Sequence, residues 1–252
     1  MIEILILSFI QGVTEFIPVS SSSHLIIFSK YLNFENQNFS IDVSLHIGSF
    51  IAILTYFYKD ILDFYENKKL FIKILVSSMP VMVIGYILVK TNLINEFRNI
   101  KMIAWMTIIF GILLYYSDKF KLEKNIQNDF NLKNAFLIGL FQVLSLIPGV
   151  SRSGIAITAA RLLNYKRFDS AKISFLLSIP TLGAVSLFGL NEILSTKDVN
   201  FSLLNLVSIF FSFLFSFFTI KYFIKYIKKF NLNLFVIYRI FLGIVLLILA
   251  YL

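Results

Sequence analysis

Apolar residues run along this chain in blocks of two kinds, and the difference between them sets the expected architecture. Six blocks, approximately 43–58, 71–90, 100–117, 172–190, 202–221 and 234–252, come near or reach the roughly 20 apolar residues that a bilayer-crossing helix needs. The first is short, so its neighbours must help it cross. Two further stretches, about 2–32 and 134–164, are each cut in the middle by a polar break containing a proline. Every piece of these is too short to span, which predicts a pair of half-helices in each.

The two breaks resemble one another. At an offset of 131 positions, Gln11, Thr14, Val19, Ser20 and Ser22 fall on Gln142, Ser145, Val150, Ser151 and Ser153, and Pro18 matches Pro148 after a one-residue shift. The chain therefore reads as one domain, 1–252, built from two copies of a single plan: repeat 1 over about 1–120 and repeat 2 over about 130–252. Each copy is a re-entrant broken-helix hairpin followed by three transmembrane helices. A re-entrant hairpin returns to its own side and three crossings do not, so the second copy enters the bilayer upside down. The expected fold is an all-α polytopic membrane protein of two inverted-topology repeats, an architecture that places sites near the midplane at the discontinuous helices.

Composition agrees with a membrane protein. Of 252 residues, 58% are hydrophobic, only 15% are charged and 29 are Phe, outside the soluble-globular range. The absence of cysteine excludes thiolate nucleophiles and Cys-ligated zinc, and two histidines are too few for a His-rich metal site. No nucleotide-binding loop or soluble domain is visible, and no nucleic-acid partner is expected. The segment MIEILILSFIQGV has no basic n-region or small-residue cleavage signal, so it is read as part of the mature protein.

The net charge of +9 reads as loop charge that sets topology. On one side lie Lys59, Lys68, Lys69, Lys73, Lys119, Lys121, Lys124, Lys133, Arg161, Lys166, Arg167, Lys172, Lys221, Lys225, Lys228 and Lys229; on the other lie Lys30, Lys90, Arg98, Lys101 and Lys197. This bias puts the first side in the cytoplasm and both termini outside. The first hairpin then enters from outside and the second from the cytoplasm, so their tips can meet.

Those tips carry the candidate chemistry. Pro18 disfavours helix at Ile17 and ends the incoming half-helix, and the serines that follow are good N-caps for an outgoing half-helix of roughly 22–32. The second tip, LIPGVSRSG, repeats the logic, with Gly149 for a tight turn, Ser151 as cap and Arg152 in the first turn. Two helix N-termini and one guanidinium would converge on a small volume suited to phosphate.

Arg152 is expensive at membrane depth and calls for an anionic partner; the alternatives are a bound phosphate or a plain ion pair with Glu15. Glu15 suits a base or a ligand to a divalent cation on a diphosphate, and Gln11 lies one turn before it, for substrate contact or an interhelical bond. Ser21 and His24 share a face and permit nucleophilic attack with proton transfer, either of them being able to carry the phosphoryl group. Ser20, Ser22, Ser23, Ser151, Ser153 and Gly154 are read as capping or phosphate-contacting positions. His46 reads better as structural. Arg239 is expected to pair with a carbonyl or snorkel to an interface, and Ser208, Ser212 and Ser216 to form a helix-packing face.

The stretches QGVTEFIPVSSSSH and PGVSRSG, half a chain apart, together with DVSLHIGSFIAIL, ISFLLSIPTLGA and YRIFLGIVLL, resemble the undecaprenyl-diphosphate phosphatase family, also called the bacitracin-resistance protein family. The resemblance covers essentially the whole chain. It implies hydrolysis of undecaprenyl diphosphate to the monophosphate carrier in the bacterial plasma membrane, supporting peptidoglycan synthesis and bacitracin tolerance. It also implies Glu15, Ser21, His24 and Arg152 as working residues and a divalent cation, Mg2+ or Ca2+, with Glu15 as its ligand.

Three positions depart from the family pattern: Gln11 replaces a second Glu, Ser23 a usual Gly, and Ala156 a Thr that Thr158 is placed to substitute. The Ser23 departure argues against a positive φ there. The partners expected are a polyprenyl diphosphate and the bilayer, with association into a homo-oligomer left open. The rival reading is a transporter or flippase of the polyprenyl phosphate carrier, since broken helices in inverted repeats also suit transport.

Overall fold

The computed structural model describes residues 1–32, 34, 38–120, 123–195 and 202–252, and among them the chain is all-helical with no strand. Lys121 and Lys197, counted above among the loop charges, lie outside the described residues. The first interrupted block folds as two short helices, α1 (Ile2–Thr14) and α2 (Ser21–Leu32), packed on each other across a break at 15–20. Next come α3 (Phe39–Tyr56), the short α4 (Tyr58–Glu66), α5 (Lys68–Lys90), α6 (Ile100–Asp118) and the single turn α7 (Ile126–Asp129). The second interrupted block gives α8 (Leu132–Val143) and α9 (Arg152–Leu162), followed by α10 (Arg167–Ser195), α11 (Leu203–Ile227) and α12 (Asn233–Tyr251).

Among the described residues, six helices are long and apolar enough to cross a membrane: α3, α5, α6, α10, α11 and α12. All six expected spans are therefore present, and the one that looked short is not. Asn38 caps α3, its side chain accepting from the Ile41 N–H at 3.0 Å, so the helix starts before its apolar block and reaches 18 residues. Lysines and acidic residues on both sides of 67 hid α4, which is too polar to register as a block.

The spans pack through small residues, as expected where lipid supplies no hydrophobic drive between helices. Gly48 on α3 sits so close to α11 that a Cβ would fall 2.4 Å from the Ile209 carbonyl, and Gly12 on α1 would meet Phe215 at 2.5 Å. The serine row on α11 is the other half of this seam: Ser212 donates to the Leu45 carbonyl at 2.6 Å, and Ser49 meets Ser212 and Ser216 at 3.2 and 2.9 Å. The packing role read from their spacing is what they perform. Phe16, in the first break, is fully buried and stands edge-on to Phe175 of α10, which anchors that break to the central aromatic cluster.

Two buried arginines tie the helices at different places. At the end of α6, Asp118 receives Arg167 at 2.8 and 3.0 Å, Arg161 at 3.1 Å and the Leu232 N–H at 3.2 Å. One carboxylate thus joins α6, α9, α10 and the start of α12. Arg239 of α12 is fully buried, and among the described residues it has no carboxylate partner. Its guanidinium instead donates to the carbonyls of Thr107 (3.2 Å), Pro18 (3.3 Å), Val150 (3.1 Å) and Gly149 (2.7 Å). It therefore holds α6 and both breaks at once, the carbonyl-pairing outcome of the two expected for it. Gly111 and Gly154 leave it room, since a Cβ at either would approach it to 3.1 or 3.0 Å.

Removing one member of such a buried polar group leaves the others unpaired, at about 3–5 kcal/mol. Asp118→Asn is expected to lower stability by roughly that amount, measured by thermal unfolding in detergent. Arg239→Met is expected to be at least as damaging, because several buried acceptors lose their donor together. Arg239→Lys is expected to recover only part, since an ammonium lacks the planar fork; full recovery would show that charge alone matters.

Candidate active site

The two breaks meet directly. The Gly149 N–H donates to Ser20 Oγ at 3.3 Å, and Ser153 Oγ donates to the Ile17 carbonyl at 2.8 Å. Gly149 is required at this crossing: its φ is +100°, and a Cβ would fall 2.6 Å from the Ile103 carbonyl.

Both outgoing half-helices start from a serine in a left-handed conformation, Ser20 at φ 79° and Ser151 at φ 71°. Strained backbone of this kind is retained where surrounding contacts fix it, and it gathers at functional sites. Ser151 caps α9, accepting from the Gly154 N–H at 3.1 Å, as its position suggested. Ser23 lies inside α2, so the departure from Gly there is accommodated and the positive φ falls on Ser20 instead.

Glu15 is the centre of the arrangement. One carboxylate oxygen accepts from Ser21 Oγ at 2.5 Å and from Gln11 Nε2 at 2.9 Å. The other forms an ion pair with Arg152 Nη2. The Arg152 Nη1 donates to Thr181 Oγ1 at 2.8 Å, which fixes the fork against α10. Glu15, Ser21, Gln11 and Arg152, four residues singled out from the sequence, are thus brought into contact.

Of these side chains Glu15 is 5% exposed and Arg152 17%, while the neighbouring Ser22 is exposed. Ser20 bridges to Ser22 and Ser23 at 3.3 and 3.0 Å, and Ser151 to Ser153 at 3.2 Å. These serines join the tips rather than Glu15.

His24 is held elsewhere. Its Nδ1 lies 2.7 Å from the Ser20 carbonyl, and its Nε2 lies 2.6 Å from the Tyr238 hydroxyl of α12. It makes no hydrogen bond to Ser21 or Glu15. His46 Nδ1 bonds the Asp42 carbonyl one turn back at 2.8 Å, consistent with a structural histidine.

Sequence reading did not single out Thr181, Tyr238 or Thr107. Thr181 and Thr107 are ordinary helix residues by pattern, whereas Tyr238 stands beside an arginine inside an apolar span, which was a signal.

For a divalent cation the donor set is small. Among the described residues no group of three or more His, Cys, Asp or Glu side chains gathers, but the buried Gln11 Oε1 has no hydrogen-bond partner and lies on the residue that bonds Glu15. One carboxylate and one free amide oxygen fit a cation that arrives largely coordinated by substrate phosphates, as magnesium commonly does. They do not make an all-protein cage.

Comparison with known proteins gives the family of the chain. The family described as "Bacitracin resistance protein BacA" matches residues 4–245. A protein of Pelagibacter ubique named undecaprenyl-diphosphatase is 51% identical over 99% of this chain and 98% of its own length. Proteins of the same name from Alteromonas mediterranea and a Jannaschia species are 38% and 35% identical, each alignment covering at least 97% of both chains. With the match running through both breaks and all six spans, this chain belongs to the bacitracin resistance protein BacA family.

Proposed function

We propose that this membrane protein hydrolyses the phosphoanhydride of undecaprenyl diphosphate, releasing inorganic phosphate and leaving undecaprenyl phosphate. The observation that carries the reading is the Ser21 hydroxyl donating to Glu15 at 2.5 Å beside Arg152, where two helix N-termini abut. Binding and moving an anionic lipid needs only the guanidinium and the helix ends. A hydroxyl already hydrogen-bonded to a carboxylate that can take its proton favours bond cleavage over transport.

In the proposed sequence, the terminal phosphate enters past Ser22 and takes up Arg152 and the free N–H groups of α2 and α9, which neutralise its oxygens. Arg152 then shares its charge with phosphate, and Glu15 accepts the Ser21 proton. Ser21 Oγ bonds to phosphorus as the bridging P–O bond breaks, and undecaprenyl phosphate leaves. Water next attacks the phosphoserine, its proton passing toward His24 while Glu15 returns the first proton to Ser21 Oγ, and inorganic phosphate is released. A magnesium or calcium ion, when bound, supplies charge neutralisation on the diphosphate oxygens, with Glu15 and Gln11 Oε1 as the protein atoms suited to hold it.

The proposal extends to the architecture. The chain is two inverted repeats, about 1–120 and 130–252, whose hairpins α1/α2 and α8/α9 re-enter the bilayer from opposite faces. The exchange of packing partners supports this: α1 lies against α11 as α8 lies against α5, while α3 pairs with α10 and α6 with α12. The lysine and arginine bias puts both termini outside the bacterial plasma membrane and the site toward the outer face, with the polyprenyl tail in lipid. Lipid-carrier recycling for peptidoglycan synthesis and bacitracin resistance follow from that placement.

Phosphate release from a polyprenyl diphosphate by detergent-purified protein tests the chemistry. Ser21→Ala, Glu15→Gln and Arg152→Lys are each expected to lose about 10²-fold or more in kcat, with Ser21→Ala, which leaves the ion pair intact, unfolding at near wild-type temperature. Near-normal turnover in all three contradicts the mechanism. With wild-type protein, chelator is expected to lower release and Mg2+ or Ca2+ to restore it, with Gln11→Leu raising the metal concentration needed for half-maximal rate. Unchanged metal dependence in that variant removes Gln11 from the cation.

A further inference from the structure

The proton path from His24 is set by which of its atoms are open. The Ser20 carbonyl can only accept, so Nδ1 carries the hydrogen, and the neutral ring presents Nε2 as its one acceptor. That acceptor is already taken by the Tyr238 O–H at 2.6 Å. The two rings lie nearly parallel, 5.7 Å between centroids and 10° apart, an arrangement that fits an edge-to-edge hydrogen bond between them. Exposure completes the picture: His24 is 4% exposed and Tyr238 40%. Tyr238 is thus the open member of the pair.

We infer that Tyr238 is the outward end of the His24 proton path, a relay through which His24 exchanges protons with the reacting centre. The inference rests on the role given to His24 above. In the step, an O–H bond of the attacking water breaks as a new O–H bond forms at Tyr238 Oη. The original Tyr238 O–H bond breaks as an N–H bond forms at His24 Nε2. The oxygen of water bonds to phosphorus, the Ser21 Oγ–phosphorus bond breaks, and Ser21 Oγ takes back the proton that Glu15 accepted in the first step. His24 becomes imidazolium, with its Nδ1–H still held by Ser20, and no further reactant is needed.

The chain places this device economically. His24 is one helical turn from Ser21 on the same face of α2, and Tyr238 is adjacent to Arg239, which holds both tips. Neighbouring positions of α12 therefore fix the backbone of the site and reach its imidazole.

Tyr238→Phe keeps the ring and removes only the hydroxyl, so it tests the relay without a large change in packing. With wild-type, Tyr238→Phe, His24→Gln and the double variant, kcat and KM for phosphate release are measured beside thermal unfolding. The relay predicts that both single variants lose about 10²-fold in kcat with KM within about twofold, and that the double variant is no slower than His24→Gln, as for residues acting as a unit. Multiplying losses would make Tyr238 act independently and overturn the relay. Loss in His24→Gln with normal kcat in Tyr238→Phe would also overturn it, while leaving the role of His24 intact. Normal kcat in His24→Gln would end both.

A second readout does not depend on turnover. The chain has two histidines, so a ¹⁵N-histidine spectrum of His46→Asn protein reports His24 alone. The relay predicts an Nδ1–H tautomer with a hydrogen-bonded Nε2 whose signal shifts in Tyr238→Phe; an unshifted signal overturns the pairing.

Discussion

A guanidinium with no carboxylate partner among the described residues, Arg239, carries the constraint on which the site depends. Breaking a helix at membrane depth frees backbone groups that lipid cannot satisfy. Here two helices break at the same place, and one planar fork accepts the consequence by donating to carbonyls from both breaks and from α6. The cost of burying that charge is offset by the number of acceptors it reaches. What results is a pair of tips fixed closely enough that Ser153 bonds the Ile17 carbonyl and Gly149 bonds Ser20.

The Glu15–Ser21–Arg152 cluster inherits this rigidity. Glu15 comes from the C-terminal cap of α1, Ser21 from the first turn of α2 and Arg152 from the first turn of α9, so no single element could assemble them. Their contact is a consequence of the tips meeting. The Glu15–Arg152 pair, which read from the sequence as either a plain ion pair or a phosphate site, is compatible with both. The pair is neutral overall and partly open through Arg152.

Much of this was legible beforehand because lipid makes polar residues costly and therefore informative. The spans followed from apolar length, and the breaks from prolines and serines set among apolar residues. The meeting of Glu15, Ser21 and Arg152 followed from two similar breaks in one chain. Less was legible where pattern carries no direction. Nothing local says that His24 turns toward Tyr238 rather than Ser21, since i and i+3 share a face but not a contact. Thr181 is an ordinary hydroxyl in a helix until Arg152 reaches it. The true length of α3 was hidden because its first turn is capped and polar, and α4 because it is not an apolar block at all.

The central claim is that the joined tips form one hydrolytic site in which Ser21 is the attacking group. It is tested most directly by quenching turnover of a polyprenyl diphosphate labelled in its terminal phosphate and locating the label on the protein. The account predicts acid-stable label on the peptide carrying Ser21, absent from Ser21→Ala protein. Label recovered on His24 instead, stable in base and lost in acid, would contradict it.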